Sequence, residues 1–444
     1  MLRWLAPLVL LHSLIYVFLA PPWQHYDEPG HFLYAAYIVS GGIDAPDDVA
    51  IAREVADSMY RHRFWPPDVR PDLLSPRPPG IPTDQRHHPP LYYVLIAGLI
   101  RPLRYLPVEI QLYAGRIASA LLMMLTVVAV WRTAQIVAPD EPRVALALAA
   151  MVALTPAFVD LMSAVNSDVL MNFAATAAFL GIAILLRDGW RPTGLGLAIL
   201  GASVAILTKR TAFAIVVPVA LALLWGAHRR PIRWWTFVLI CGAGLMGVMV
   251  SGALLGNDIG HSDLPSLATM LLAYLRLDVA AWIASALEWE RSLSWYRVTL
   301  VVGHTHFWAR LSWGNVAVLA PYSDWIFAGL CFGALAGLAR SAVTRPRTRP
   351  LWQQRWIWVC VVSVTLAWLV LFGRLHPLPE AGSWVYIPRG RYLYWAMMPT
   401  MWLLVFGWQH LWPVRWHTQM LLGLIILFVM FDGAAIITLL SHYW

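Results

Sequence analysis

The chain has 444 residues, 59% of them hydrophobic and 13% charged, with a formal net charge of +8. Soluble domains run at roughly 45–50% apolar and about 25% charged, so this composition excludes an ordinary water-soluble enzyme, and no hydrophilic stretch is long enough for a separate soluble domain. The excess arginine falls in short loops between apolar runs, where it reports membrane orientation and contact with anionic lipid, not nucleic acid.

Apolar runs of roughly 17–25 residues read as transmembrane helices. Lipid offers backbone groups no partners, so the expected fold class is all-α. Predicted spans cover 2–20, 111–131, 143–160, 168–186, 193–207, 211–227, 234–255, 321–340, 355–373, 391–410 and 417–440, a count of 11 within a range of 10–13. Residues 2–20 resemble a signal peptide, but Pro21-Pro22-Trp23 is a poor cleavage site, so the segment reads as an uncleaved first span. Cys241, Cys331 and Cys360 all lie in apolar runs and read as small core residues.

After the first span comes Asp27-Glu28-Pro29, which opens a helical pattern to about Ile38. Asp27 and His31 are four apart and share a face. Asp27 reads both as a helix N-cap and as a general base aimed into a cavity, with His31 orienting it; one residue can serve both ends. Residues 43–86 form a long insertion rich in proline and aspartate, with a short amphipathic helix expected over 49–63. His87-His88-Pro89-Pro90-Leu91-Tyr92-Tyr93 leads into an apolar segment, 90–107, broken by Arg101, Pro102 and Arg104. The paired histidines read either as phosphate or metal ligands or as merely polar.

Farther along, Asn166-Ser167-Asp168 follows Thr155-Pro156 at a span junction. Asp168 is either a second acid of the site or an N-cap. Lys209-Arg210 sits between apolar segments of only 15 and 17 residues. At about 1.5 Å per residue these barely cross roughly 30 Å of hydrocarbon, so their shared tip is recessed. Two cations there call for an anion, and a lipid phosphate is the natural one, with headgroup snorkelling as the alternative. In the loop 256–320 an amphipathic stretch, about 267–289, precedes His304-Thr305-His306-Phe307-Trp308-Ala309-Arg310-Leu311-Ser312-Trp313-Gly314-Asn315, whose aromatics suit a membrane belt or an acceptor groove. Arg389-Gly390-Arg391-Tyr392 opens the tenth span, as a phosphate ligand or an interfacial anchor. Asp432, inside the last span, reads as hydrogen-bonded within the bundle.

Charge orients the bundle. The loops 340–355 and 228–233 carry arginines and no acid, so both face the cytoplasm. Counting back places 21–90 outside and allows only one crossing between 90 and 131, so 90–107 is expected to be an external interfacial helix. Asp27, His88, Asp168, Lys209 and the loops 256–320 and 374–390 then share the external face.

The ordered set of short motifs resembles the GT-C superfamily of membrane glycosyltransferases. These are an acidic pair after span one, Pro-Pro-Leu-Tyr-Tyr, Asn-Ser-Asp after Thr-Pro, Leu-Thr-Lys and Gly-Arg-Tyr-Leu. Within it the chain looks like bacterial relatives of protein O-mannosyltransferases and aminoarabinose transferases, including an actinobacterial-type family with the Phe-Trp-x-Arg…Trp-Gly-Asn pattern of 307–315. The resemblance covers most of the chain, best over 20–215. It implies one GT-C-like membrane domain over 1–444, with 1–227 as catalytic module and 228–444 as C-terminal spans, and external juxtamembrane helices in the first loop. It also implies an inverting glycosyltransferase of the 2.4 class, integral to a bacterial plasma membrane with its site facing outside. Such an enzyme moves a sugar from a polyprenyl-phosphate carrier to a hydroxyl of a glycan, lipid or protein. Carried over, Asp27, with Glu28, is catalytic base and Asp168 the second acid. Lys209, Arg210, Arg391 and His88 hold the donor phosphate, and His31 and Asn166 support them. Histidine at 88 departs from the family's cation. Some members of the superfamily need a divalent cation and others do not, and the motifs do not decide between them; a divalent cation, Mg or Mn, would use Asp27 and Asp168. The rival readings are a transporter or flippase of a lipid-linked glycan and a non-catalytic envelope-assembly partner; the spans show no inverted repeat and few mid-bilayer charges, which weighs against transport.

Overall fold

The computed structural model describes residues 2–41, 48–66, 68–74, 81, 85–86, 88–227, 289–344, 350–374 and 389–444, with the side chains of Arg210, 289–295 and 373–374 excepted. The first loop folds as three short helices after α1 (Leu2–Leu19): α2 (Glu28–Gly41), α3 (Val49–Arg61) and α4 (Leu91–Ile100). Asp48 caps α3 by accepting from the amides of Ala50 and Ile51. At 1.5 Å per residue, the ten residues of α4 reach only about 15 Å, half of a hydrocarbon layer. A short 3₁₀ turn, Arg101–Leu103, ends it, as the break at Arg101-Pro102 leads one to expect.

The bundle continues with α5 (Val108–Val137), α6 (Pro142–Ala153), α7 (Pro156–Met162), α8 (Ser167–Asp188), α9 (Pro192–Thr208) and α10 (Val216–Ala227). After α11 (Trp289–Trp308) comes a small antiparallel hairpin, β1 (Arg310–Leu311) with β2 (Val316–Ala317), Arg310 opposite Ala317. Then follow α12 (Tyr322–Thr344), α13 (Leu351–Arg374), α14 (Met397–Leu411) and α15 (His417–Tyr443). Every predicted span coincides with helical structure except 234–255, which lies outside the described residues, as do the amphipathic stretch up to residue 288 and the loop 375–388.

Among the described residues, five helices are long and apolar enough to cross a membrane, or six if a pair bent by 66° is one span. That pair, α6 and α7, corresponds to the single predicted span 143–160. The bend falls at Thr155, whose extended backbone (φ −77°, ψ 109°) is what a following proline imposes. The span predicted at 391–410 likewise begins as a 3₁₀ turn, Gly390–Ala396. So does the one at 211–227, where the turn is Arg210–Ile215.

Small residues let α8 and α9 pack backbone to backbone. A Cβ on Gly181 would lie 2.3 Å from the Ala198 amide nitrogen, and one on Gly201 would lie 2.7 Å from that of Ala178. Two buried apolar clusters result. The larger runs through the long helices and includes Phe158, Phe179, Trp356 and Phe428. The smaller lies under the first-loop helices and includes Trp23, Phe32, Val55, Tyr92, Tyr93 and Val165.

Candidate active site

The connection from α1 to α2 is the most tightly held loop of the site. Arg116, fully buried on α5, donates to the carbonyls of Val17 (2.9 Å), Ala20 (2.7 Å) and Pro21 (2.9 Å), the orphan acceptors at the end of α1. The same guanidinium grips Glu28 in a two-pronged pair, Nε to Oε1 at 2.9 Å and Nη2 to Oε2 at 2.6 Å. Glu28 also accepts from the amides of Trp23 and Val165, both at 3.1 Å. Its carboxylate is therefore committed to the scaffold. Within the loop, Trp23 (φ 74°) and Asp27 (φ 51°) adopt the left-handed conformation that side chains avoid. The buried His25 ring lies 3.0 Å from Asp160, and Asn166 donates to the Tyr26 carbonyl at 2.9 Å while capping α8.

This loop aims the Asp27 carboxylate at Arg391, with which it forms a buried ion pair. Arg391 comes from the 3₁₀ turn after Gly390. That turn lies against α11 so closely that a Cβ on Gly390 would meet the Phe307 amide nitrogen at 2.1 Å. The Arg391 Nε is 3.9 Å from Asp168 Oδ2, so the guanidinium lies between two carboxylates. Asp168, in the first turn of α8, takes Lys209 Nζ at 2.5 Å through its other oxygen. Tyr26 and Tyr392 flank the cations: Arg391 is 4.8 Å from the Tyr26 ring centre and Lys209 5.6 Å from that of Tyr392. Arg391 Nε and Nη1 and Asp168 Oδ2 are buried with no hydrogen-bond partner among the described residues. Burial raises the Asp27 pKa, but Arg391, then His31 and Lys209, outweigh it and hold the carboxyl below its ordinary 3.8.

Of the residues singled out in the sequence, Asp27, Asp168, Lys209 and Arg391 thus meet in one cluster. His31 donates to or accepts from the Tyr93 hydroxyl at 2.8 Å, and His88 stacks on His31 with ring centres 6.2 Å apart. His87 and the Arg210 side chain lie outside the described residues. Sequence reasoning passed over Arg116, His25, Tyr26 and Asp160. Arg116 and Asp160 were detectable as lone charges within predicted spans, where an ionisable group needs a partner. Asp432 is hydrogen-bonded within the bundle, to His12 and Tyr16, both at 2.8 Å.

Asp27 and Asp168 offer the carboxylate oxygens that Mg or Mn favour, but two engaged carboxylates fall short of the near-octahedral set such an ion takes. Each is already paired with a basic side chain, and among the described residues no group of three or more His, Cys, Asp or Glu gathers to hold a metal.

Residues 87–255 match the family described as dolichyl-phosphate-mannose-protein mannosyltransferase, a stretch that takes in Asp168 and Lys209 and leaves out Asp27 and Arg391. No curated protein matches the chain. Among solved structures it is similar to the Archaeoglobus fulgidus oligosaccharyltransferase in its apo form, at 14% identity and a TM-score of 0.49 over 98% of this chain and 56% of that one. It is also similar to the archaeal oligosaccharyltransferase AglB from Archaeoglobus fulgidus, in complex with an inhibitory peptide and a dolichol-phosphate, at 13% identity and a TM-score of 0.46 over 99% of this chain and 56% of that one. The chain therefore spans little more than half the length of these neighbours. The resemblance to the GT-C superfamily of integral-membrane glycosyltransferases, carried in the sequence by short motifs, is borne out by the family match over residues 87–255.

Proposed function

We propose that the chain is an inverting glycosyltransferase that takes a sugar from a polyprenyl-phosphate carrier on the external face of the membrane and passes it to an acceptor hydroxyl. The observation that carries this reading is the ion cluster in which positions 27, 168, 209 and 391, from four distant segments, come together. A polyprenyl-phosphate donor also fits the dolichyl-phosphate-mannose in the name of the matched family.

In the proposed reaction the acceptor oxygen attacks the anomeric carbon. Its proton passes to the Asp27 carboxylate, and the bond from that carbon to the phosphate oxygen breaks with its electron pair leaving on the phosphate. The donor phosphodiester carries one negative charge and the released monoester gains a second. Lys209 and Arg391 meet this growing charge from fixed positions in a buried site, the arrangement that contributes most to transfers of this kind. Asp168 keeps Lys209 in place and Glu28 serves the scaffold through Arg116. No step runs through a metal. Without donor, Arg391 neutralises the base; a bound phosphate competes for the guanidinium and leaves Asp27 available to the acceptor.

The test is Asp27→Asn in membranes supplied with a panel of polyprenyl-phosphate-linked labelled sugars. Expression and insertion persist, and transfer falls by roughly 10²-fold or more, the usual contribution of a positioned base. Undiminished transfer in that variant would falsify the mechanism.

A further inference from the structure

Beside the ion cluster, one aromatic ring removed from it, stands a wall that the reaction above leaves unused. Tyr26, whose ring lies 4.8 Å from the Arg391 guanidinium carbon on one side, reaches His306 Nδ1 with its hydroxyl at 3.2 Å. Arg389 lies 5.6 Å from the same ring and donates to the Trp313 carbonyl at 3.1 Å. Trp313 in turn donates from its indole to the Trp23 carbonyl at 3.4 Å, so it is bonded into the loop that carries Asp27. Phe64, just beyond α3, meets the Trp313 ring edge to face at 5.7 Å, and Trp65 meets Phe64 at 5.4 Å. All three aromatics are half-buried.

We propose that this wall, Phe64, Trp65 and Trp313 with His306 and Arg389 beside them, is the acceptor subsite, and that the acceptor it takes is a carbohydrate. The inference rests on the glycosyltransferase reading and names the substrate class of the same site. A sugar ring has a face of C–H groups that lies flat on an aromatic side chain, and a rim of hydroxyls that needs fixed donors and acceptors. The wall supplies both within one short distance. Arg389 is a donor at all pH. Burial first, and then Arg389, Arg310 and Arg391, push the His306 pKa down to about 3; its Nδ1 faces the Tyr26 hydroxyl at 3.2 Å and Arg389 Nη1 at 3.5 Å, so Nε2 is the nitrogen that offers a hydroxyl its N–H.

The backbone also fits. Gly314 (φ 86°) follows Trp313, and a Cβ there would lie 2.4 Å from the Tyr26 hydroxyl and 2.5 Å from Arg389 Nη1. A side chain at 314 would collide with these groups, so glycine is what lets the turn after Trp313 close against Tyr26, Arg389 and His306. A peptide acceptor, by contrast, binds by adding to a strand edge or by laying a helix into a groove. The strands here have two residues each, too short an edge for the first. A lipid acceptor calls for an apolar trough without the arginine and histidine.

The test is saturation-transfer NMR on the purified full chain in a detergent without a sugar headgroup. The probes are neutral trisaccharides of hexoses and of pentoses, and a serine- and threonine-containing hexapeptide. Trisaccharide ring protons are expected to take up saturation, with the signal reduced about tenfold in Trp313→Ala and largely kept in Trp313→Phe. If Trp313→Ala fails to fold, Trp65→Ala gives the same readout. Saturation of the peptide alone, or a trisaccharide signal indifferent to the loss of both tryptophans, overturns the assignment. Trisaccharide binding needs neither donor nor base, so Asp27→Asn keeps it. Loss of the wall's binding and loss of sugar transfer therefore separate the failure of this inference from the failure of the catalytic reading.

Discussion

Asp27 is an aspartate in a left-handed backbone conformation (φ 51°), strain on the order of 1 kcal/mol that the surrounding bonds must offset. Those bonds converge on Arg116, so the arginine is the residue whose loss the loop tolerates least. Arg116→Ala strands Glu28 as a buried, unpaired carboxylate, and breaking such a pair costs about 3–5 kcal/mol. Thermal unfolding in detergent is expected to show a large drop. Arg116→Lys does not restore it, because an ammonium cannot span the carboxylate and three carbonyls at once. At Asp27 itself the sign of the pH effect follows from its partners. As the proposed base, Asp27 works only when ionised, so activity is expected to fall as pH drops through its pKa. In the free enzyme Arg391 holds that pKa below the ordinary 3.8, so kcat/KM, which reports the free enzyme, stays level until pH is below the ordinary aspartate range. Once a donor phosphate shares Arg391, burial is less opposed and the pKa rises, so the acid limb of kcat lies at higher pH. Coincident limbs would mean that Arg391 stays on Asp27 throughout the cycle. At this scale the sequence was half legible. Asp27, Asp168 and Lys209 announce themselves as polar groups at span ends, whereas Glu28 looks like a second catalytic acid until Arg116 is found opposite it.

The elements explain how those residues meet. All four cluster residues sit where regular helix is interrupted or begins: Asp27 before α2, Asp168 in the first turn of α8, Lys209 between α9 and a 3₁₀ turn, and Arg391 at the start of another. A 3₁₀ turn rises about 2.0 Å per residue against 1.5 Å for an α-helix, and it turns its side chains on a different spacing. Hydropathy reports where apolar residues lie and not which of these two helices they form, so the spans were visible in the sequence while their broken ends were not. The turn carrying Arg391 depends on the absence of a side chain at 390. Gly390→Ala sets a methyl 2.1 Å from the Phe307 nitrogen, and backbone atoms cannot yield as a flexible side chain does. The turn must lift from α11 and take Arg391 away from Asp27 and Asp168. Sugar transfer is expected to show a rise in donor KM of roughly tenfold or more, since a misplacement of about 1 Å at a positioning group costs on the order of 10²-fold. An unchanged donor KM would show that the turn has slack.

Over the whole molecule, α1, α8, α9 and the 3₁₀ turn at 390–396 deliver polar groups to one end of an apolar bundle, and sidedness decides what that end can meet. The ion cluster lies at one level, and Glu141, which accepts from Gln409 at 2.8 Å, begins α6 at the end of the bundle away from Thr155 and Asp160. The proposed orientation rests on the arginine-rich loops at 228–233 and 340–355, because short basic loops are biased to the cytoplasmic side. Site-directed labelling measures this sidedness directly. On a cysteine-free background, Asp48→Cys, at the N-cap position of the first-loop helix α3, is expected to react with a membrane-impermeant maleimide in intact cells. Arg347→Cys, in the basic loop, is expected to react only after the membrane is opened. If the two positions label from the same side, the polar end cannot be assigned to the outer face. A polyprenyl-phosphate sugar presented there would then have no access, and the base at Asp27 would be left without its donor. If they label from opposite sides as expected, the ion cluster, the aromatic wall and the open face of the first loop share the compartment in which carrier-linked sugars and envelope hydroxyls meet.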